Sequence, residues 1–246
     1  MTTTLARSDW RGAALLLDFI YRTEVGKGAP GCYNVIFGNR QSRLAKPLTS
    51  MTLAEVQAAQ KTWASKAWAK RFGSNAASSA AGAAQFMRAT LAGLIKELNL
   101  NPAQKFDGDL QDRLAYHLLK RRGFEAFVAG KIDRAQFGLN LAKEWASFPV
   151  LADTRGAHRN VRRGQSYYAG DGLNKSLTRP ETVEALLDGV LAAERLSSAP
   201  KPVSPPSEPP LPQPAPATPA GSNAAKLALA VLLLAVAGVA VLIFGG

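Results

Sequence analysis

Cysteine and histidine, the residues that most often staple a small domain or hold its metal, are nearly missing from this sequence. Its 246 residues include one cysteine, Cys32, which excludes an internal disulfide. They include two histidines, His117 and His158, which stand far apart with no Cys, Asp or Glu at ligand spacing. The reading therefore assigns no metal and no cofactor, and Cys32, with no histidine beside it, reads as a small buried apolar residue. A chain of this length can close a core without such staples. Acid is also scarce: 18 Asp and Glu stand against 30 Lys and Arg, for a net charge of +12. That excess calls for an anionic partner, and nucleic acid, acidic lipid and anionic cell-wall polymers all qualify. Clusters such as Lys120, Arg121, Arg122 and Arg159, Arg162, Arg163 would serve any of the three, although solvated basic faces are their ordinary role. No export signal is expected either. Met1 to Asp9 is polar, and the apolar run behind it is interrupted by Asp18 and Arg22.

Proline is sparse until residue 196 and then abundant. Residues 197–223 hold ten of the fifteen prolines and little that could pack, the composition of an extended, disordered linker reaching on the order of 80 Å. Eighteen residues without a charge follow, Leu227 to Phe244, long enough to span about 27 Å as a helix. The expected organisation is a domain over 1–196, a linker over 197–223 and a C-terminal transmembrane helix within 224–246. Ala228, Ala230, Ala235, Ala237, Gly238 and Ala240 make its hold on lipid modest. Lys226 and the basic domain lie N-terminal of that span, so the positive-inside tendency keeps the domain in the cytoplasm and the tail in the inner membrane.

Periodicity predicts a mostly helical α+β domain with a small sheet. Leu15, Leu16, Phe19 and Ile20 mark a helix over Asp9 to Arg22, and Tyr33 to Phe37, between Gly31 and Gly38, reads as a short strand. Thr52 with Glu55 forms a capping box for a helix running to about Lys70. Arg71 to Ala80 reads as a loop, and Ala83 to Leu98 as helix up to the break at Asn101-Pro102. Asp109 caps a helix that Gly123 ends near Arg121, where Arg121 or Arg122 supplies positive charge to the C-terminus. Phe124 to Ala129 and Ile132 to Phe148 read as two more helices. After a turn at Asp171-Gly172, Thr178 and Glu181 make a second capping box, with Pro180 in the first turn, for a helix to about Leu196.

Five stretches follow one another in a familiar order. They are LLLDFIYRTEVG (Leu15 to Gly26), YNVIFG (Tyr33 to Gly38), SSAAGAAQFM (Ser78 to Met87), FDGDLQDRLAYHLLKRRG (Phe106 to Gly123) and WASFP (Trp145 to Pro149). Over Leu15 to Pro149 the chain resembles the lambda-type endolysins, the lambda lysozymes or peptidoglycan lytic transglycosylases. The resemblance implies a lysozyme-like, two-lobed domain acting on the glycan strands of peptidoglycan. It further implies cleavage of the β-1,4 bond between N-acetylmuramic acid and N-acetylglucosamine without water. The muramic C6 hydroxyl attacks the anomeric carbon and leaves a 1,6-anhydro end. Two departures stand out: Thr23-Glu24-Val25, with Gly26 one place later, replaces Ser-Glu-Gly, and Asn34 replaces the Asp that follows the tyrosine.

Protonating the leaving oxygen near neutral pH needs a carboxylic acid kept neutral, which burial against apolar side chains achieves. Glu24, delivered by an apolar helix face, is the catalytic candidate, although a glutamate at a helix end is ordinarily a solvated residue. Arg22 and Lys27 would oppose its protonation if they pointed at it. A hydrolase needs a second carboxylate. Of Asp107, Asp109 and Asp112, Asp109 reads as a cap and the others as solvated surface. Ser79, Gly82 and Gln85 of the small-residue loop are substrate-binding candidates. Small side chains let a glycan approach the backbone, and a carboxamide bonds to acetamido or hydroxyl groups. In the family this loop carries Gly-x-x-x-Gln, whereas here Gly82 precedes Gln85 by three, and bracing of backbone is an equal role for Gln85. Tyr33 joins them by resemblance. Tyr167 and Tyr168, beyond the matched stretch, offer ring faces on which pyranoses stack. QDRLAYHLLKRRG and WASFP read as scaffold, with Trp145 in the core.

The expected function is peptidoglycan cleavage in bacterial cell lysis, with a holin as functional partner because the substrate lies across the membrane and with no specific nucleic acid. A hydrolytic lysozyme is one alternative, and a membrane-tethered basic module that binds polymer without cleaving it is another.

Overall fold

The computed structural model describes residues 10–198, which form a predominantly helical α+β domain. Its axis is α1 (Arg11–Val25), whose Leu16, Leu17, Ile20 and Tyr21 are buried. Each aliphatic side chain so buried stabilises the fold by roughly 1.5–3 kcal/mol. The helix runs past Glu24 and stops at Gly26, whose φ of 69° only glycine adopts freely and whose N–H donates to the Arg22 carbonyl at 2.9 Å. The glycine one place later than the family pattern is thus what terminates this helix. At the other end Trp10 supplies no side-chain cap. A distant residue does: the Oε1 of Glu194, on α8 (Pro180–Ser198), accepts the Gly12 N–H at 2.8 Å. Along α8, which packs against α1, Val183, Leu187 and Val190 are buried.

Between these two helices lie α2 (Leu53–Trp63), α3 (Lys66–Lys70), α4 (Arg88–Glu97), α5 (Gly108–Arg121), α6 (Phe124–Val128) and α7 (Arg134–Glu144). One continuous core joins them to α1 and α8, with Phe127 stacked on Phe137 at 4.6 Å and Phe86 edge-on to Phe106 at 5.8 Å. Cys32 is fully enclosed in it. Gln111 of α5 is also fully buried and ties three segments together. Its Oε1 accepts from Ala83 N–H, and its Nε2 donates to the carbonyls of Tyr33 and Phe106.

The Thr52–Glu55 capping box forms as the sequence predicts, with both reciprocal bonds present. Several other predictions are corrected. Tyr33 to Phe37 is not a strand. Residues through Asn34 turn, Asn34 Oδ1 accepts from Thr49 N–H and Oγ1, and only Ile36 makes a bridge, to Ala81. The two-stranded sheet lies elsewhere, pairing β1 (Thr154–Arg155) antiparallel to β2 (Asn160–Val161). The helix predicted from Thr52 to Lys70 breaks at Ala64-Ser65, where the Ser65 hydroxyl accepts from Trp68 N–H and starts α3. The helix predicted from Ala83 begins only at Arg88, because Ala81 bridges Phe86 around Gly82 and Gln85, both at positive φ.

Asp107, not Asp109, caps α5, accepting from Leu110 N–H at 2.8 Å. Asp112 is buried rather than solvated, its Oδ1 accepting from the hydroxyls of Tyr21 at 2.7 Å and Tyr33 at 3.1 Å. The helix predicted through Phe148 ends at Glu144, since Trp145 is extended. The Thr178 capping box does not form: α8 starts at Pro180, and Glu181 turns to Arg163. The predicted linker and transmembrane helix lie outside the described residues. Among the described residues no helix is long and apolar enough to cross a membrane.

Candidate active site

A cleft of about 430 Å³ opens where four parts of the chain converge, a volume in the range of small-molecule sites. The last turn of α1 contributes Glu24, and the small-residue loop contributes Ser78, Ala80, Ala84 and Gln85. The end of α7 and the WASFP segment contribute Glu144, Trp145 and Ala146, and the following loop contributes Tyr168, Leu173 and Asn174. The Trp145 Nε1 donates to the Ala84 carbonyl at 3.2 Å and locks two of these parts together. Met87 and Leu173, largely exposed, add apolar surface to the lining.

Glu24 is held by one short contact, the Ser147 hydroxyl donating to its Oε1 at 2.5 Å. Ser147 is itself buried, and its carbonyl accepts from Leu177 N–H. Desolvation pushes the Glu24 carboxyl above the ordinary glutamate range, and the Ser147 hydroxyl and amide pull it back without reversing the shift. Of the two cations named as opposing protonation, Arg22 is occupied, its guanidinium pairing with Asp18 at 2.8 Å. Burial therefore favours the neutral form of the Glu24 carboxyl where it lines the cleft. The second cleft carboxylate, Glu144, is paired with Arg122 at 2.6 Å. None of Asp107, Asp109 and Asp112 lines the cleft.

Of the predicted substrate-binding residues, the structure brings Gln85 and Tyr168 to the cleft with Glu24. Gln85, at φ 49°, braces the loop, its Nε2 donating to the Gly82 carbonyl at 2.9 Å, while the residue still lines the cleft. Tyr168 donates its hydroxyl to the Lys143 carbonyl at 2.7 Å. The remaining four are placed otherwise. Ser79 faces α4, its hydroxyl accepting from Arg88 N–H, and the neighbouring Ser78 takes the cleft position. At Gly82, φ 73°, a side chain would strike the Gln111 carboxamide and the Phe106 ring, so the glycine serves packing. Tyr33 points its hydroxyl at Asp112, and Tyr167 lies edge-on to Tyr168 with the Lys143 ammonium 5.6 Å from its ring.

Sequence reasoning missed Ser147 and Glu144. Ser147 was visible only as part of WASFP, which reads as scaffold, and Glu144 as one more charge near a helix end. Among the described residues no group of His, Cys, Asp and Glu is arranged to hold a metal ion.

No curated protein and no solved structure matches the chain. A family model does, Endolysin, over residues 16–172, a stretch that contains every residue named as lining the cleft except Asn174 and Leu173. The chain belongs to the endolysin family, proteins of phage lysis that act on the bacterial cell wall.

Proposed function

We propose that this endolysin cleaves the β-1,4 bond between N-acetylmuramic acid and N-acetylglucosamine by transglycosylation, with Glu24 as its one catalytic acid and base. The observation that carries the reading is the desolvated Glu24 carboxyl facing a cleft and oriented by Ser147. Glu24 donates its proton to the glycosidic oxygen as the bond to the anomeric carbon breaks. The muramic C6 hydroxyl bonds to that carbon, and the Glu24 carboxylate takes the hydroxyl proton, which restores the acid. Atoms balance without water, so one carboxyl group suffices. Gln85 and Tyr168 line the bound strand, and Met87 and Leu173 give apolar faces for its rings. Mass analysis of fragments released from purified peptidoglycan tests this. Products lighter by one water than hydrolytic fragments support it, and ordinary reducing ends overturn it.

One observation favours the hydrolytic alternative. Glu144 lines the same cleft and is a carboxylate that a lysozyme could use to activate water, although it is paired with Arg122. The product masses decide between the two.

The proposal extends to delivery. The basic domain waits in the cytoplasm, tethered through the proline-rich stretch 197–223 to a tail within 224–246, until a holin breaches the inner membrane. Alkaline extraction of membranes from producing cells tests the tether: retention in the pellet supports it, and complete release to the supernatant removes it.

A further inference from the structure

The segment Thr154 to Gly170 carries four arginines and a histidine but no acid. One arginine is neutralised within the domain, Arg163, which pairs with Glu181 at 2.7 Å and Glu184 at 3.1 Å of α8. The other three, Arg155, Arg159 and Arg162, are exposed and make no ion pair among the described residues. They sit on or beside the β1–β2 hairpin with His158, and Arg155 and Arg162 line a groove of about 560 Å³ together with Asp153, Thr154, Asn160 and Val161. The one acid in that groove, Asp153, has its Oδ1 committed to Arg163 N–H, and Asp171 accepts from Leu173 and Asn174 N–H.

The hairpin is fixed to the wall of the cleft. Ala157 N–H donates to the Tyr167 carbonyl at 2.9 Å, and Gly156 approaches that carbonyl so closely that a side chain there would collide with it. Gly170 packs against the stems of His158 and Arg159. The polypeptide that carries these contacts is the one that supplies Tyr168, Leu173 and Asn174 to the cleft. Three guanidinium groups on one short arm repel one another unless an anion lies across them, and their planar forks match carboxylates in two-point contacts.

We propose that this hairpin binds the free carboxylates of the peptide stems attached to the glycan strand that occupies the cleft. The inference rests on the peptidoglycan reading above. Phosphates of lipid headgroups share the anionic character, but the continuity of the arm with the cleft wall favours carboxylates borne by the substrate.

The test compares the full-length protein with its R155Q/R159Q/R162Q variant on intact sacculi and on glycan strands stripped of peptides by an amidase. With equal melting temperatures, the variant is expected to lose about tenfold in kcat/KM on intact sacculi, through KM, and nothing on stripped strands. Equal rates on intact sacculi overturn the inference, as does an equal loss on both substrates. If the triple variant does not fold, R155Q and R159Q singly are expected to lose about two- to threefold each on intact sacculi only. Pelleting with sacculi, done with Glu24→Gln in both proteins, reads the arm without catalysis. A weaker pellet for the triple variant therefore supports the arm even if the cleavage chemistry proves wrong. Loss of binding to phosphatidylglycerol vesicles with sacculus binding intact overturns the carboxylate assignment.

Discussion

At the scale of single residues, the proposed chemistry depends on a contact across 123 positions of sequence, Ser147 to Glu24. The placement of Glu24 in a cleft was legible, because an apolar helix face that ends in a glutamate delivers it into partly desolvated surroundings. Ser147 was not, since nothing local distinguishes a serine that packs from one that donates to a carboxylate. Asp112 was misread for the same reason: the two tyrosines that hold it lie 91 and 79 positions away. Replacing Glu24 with Gln is expected to lower kcat by roughly 10²–10⁴ with circular dichroism unchanged. The same substitution should stabilise the fold at alkaline pH. The Glu24 pKa is raised in the folded state, so the folded protein holds a proton that the unfolded chain releases, and stability falls as pH rises from the unfolded pKa through the folded one. Glutamine escapes that loss. Melting curves should therefore coincide in acid, separate as pH rises from the unfolded pKa through the folded one, and stay apart above it, with the variant higher. Ser147→Ala removes a bond that favours the ionised form, so the alkaline limb of the pH–rate profile should move to higher pH while kcat falls about tenfold from lost orientation. An unmoved limb would reduce Ser147 to packing.

At the scale of elements, a local signal held where nothing distant competed for its groups and failed where a distant partner did, as at Glu181, which Arg163 draws away from Thr178. The Thr52 capping box is closed by a residue three positions on and was readable. The segment 33–37 has strand-forming residues, yet Gln111 takes the Tyr33 carbonyl, the Asn34 side chain turns to the Thr49 amide, and a single bridge, Ile36 to Ala81, forms in place of a strand pair. The N-terminus of α1 belongs to the second kind, because its cap comes from Glu194 on α8. Glu194→Ala should cost about 1 kcal/mol in urea denaturation, in the range of lost N-caps, and Glu194→Gln, which keeps an acceptor oxygen, should cost less. Gly12→Ala should be at least as damaging, because the added methyl would press on the Val190 carbonyl and the Glu194 side chain.

At the scale of the molecule, the helical α+β class was legible from periodicity, and the cleft was not, because it is made by four segments far apart in sequence. The family match ends at residue 172, before α8 begins at Pro180, whereas the core does not. A chain ending at residue 179 should therefore lose cooperative thermal unfolding and bind a hydrophobic dye, while one ending at residue 198 keeps a sharp transition. Equal melting of the two would make α8 an accessory. The enclosure of Cys32, the chain's one thiol, has a practical consequence for all such comparisons. Alkylation by a maleimide can proceed only when the packing around position 32 opens, so the rate of labelling is an intrinsic stopwatch for native-state opening in every variant, with no reporter to install.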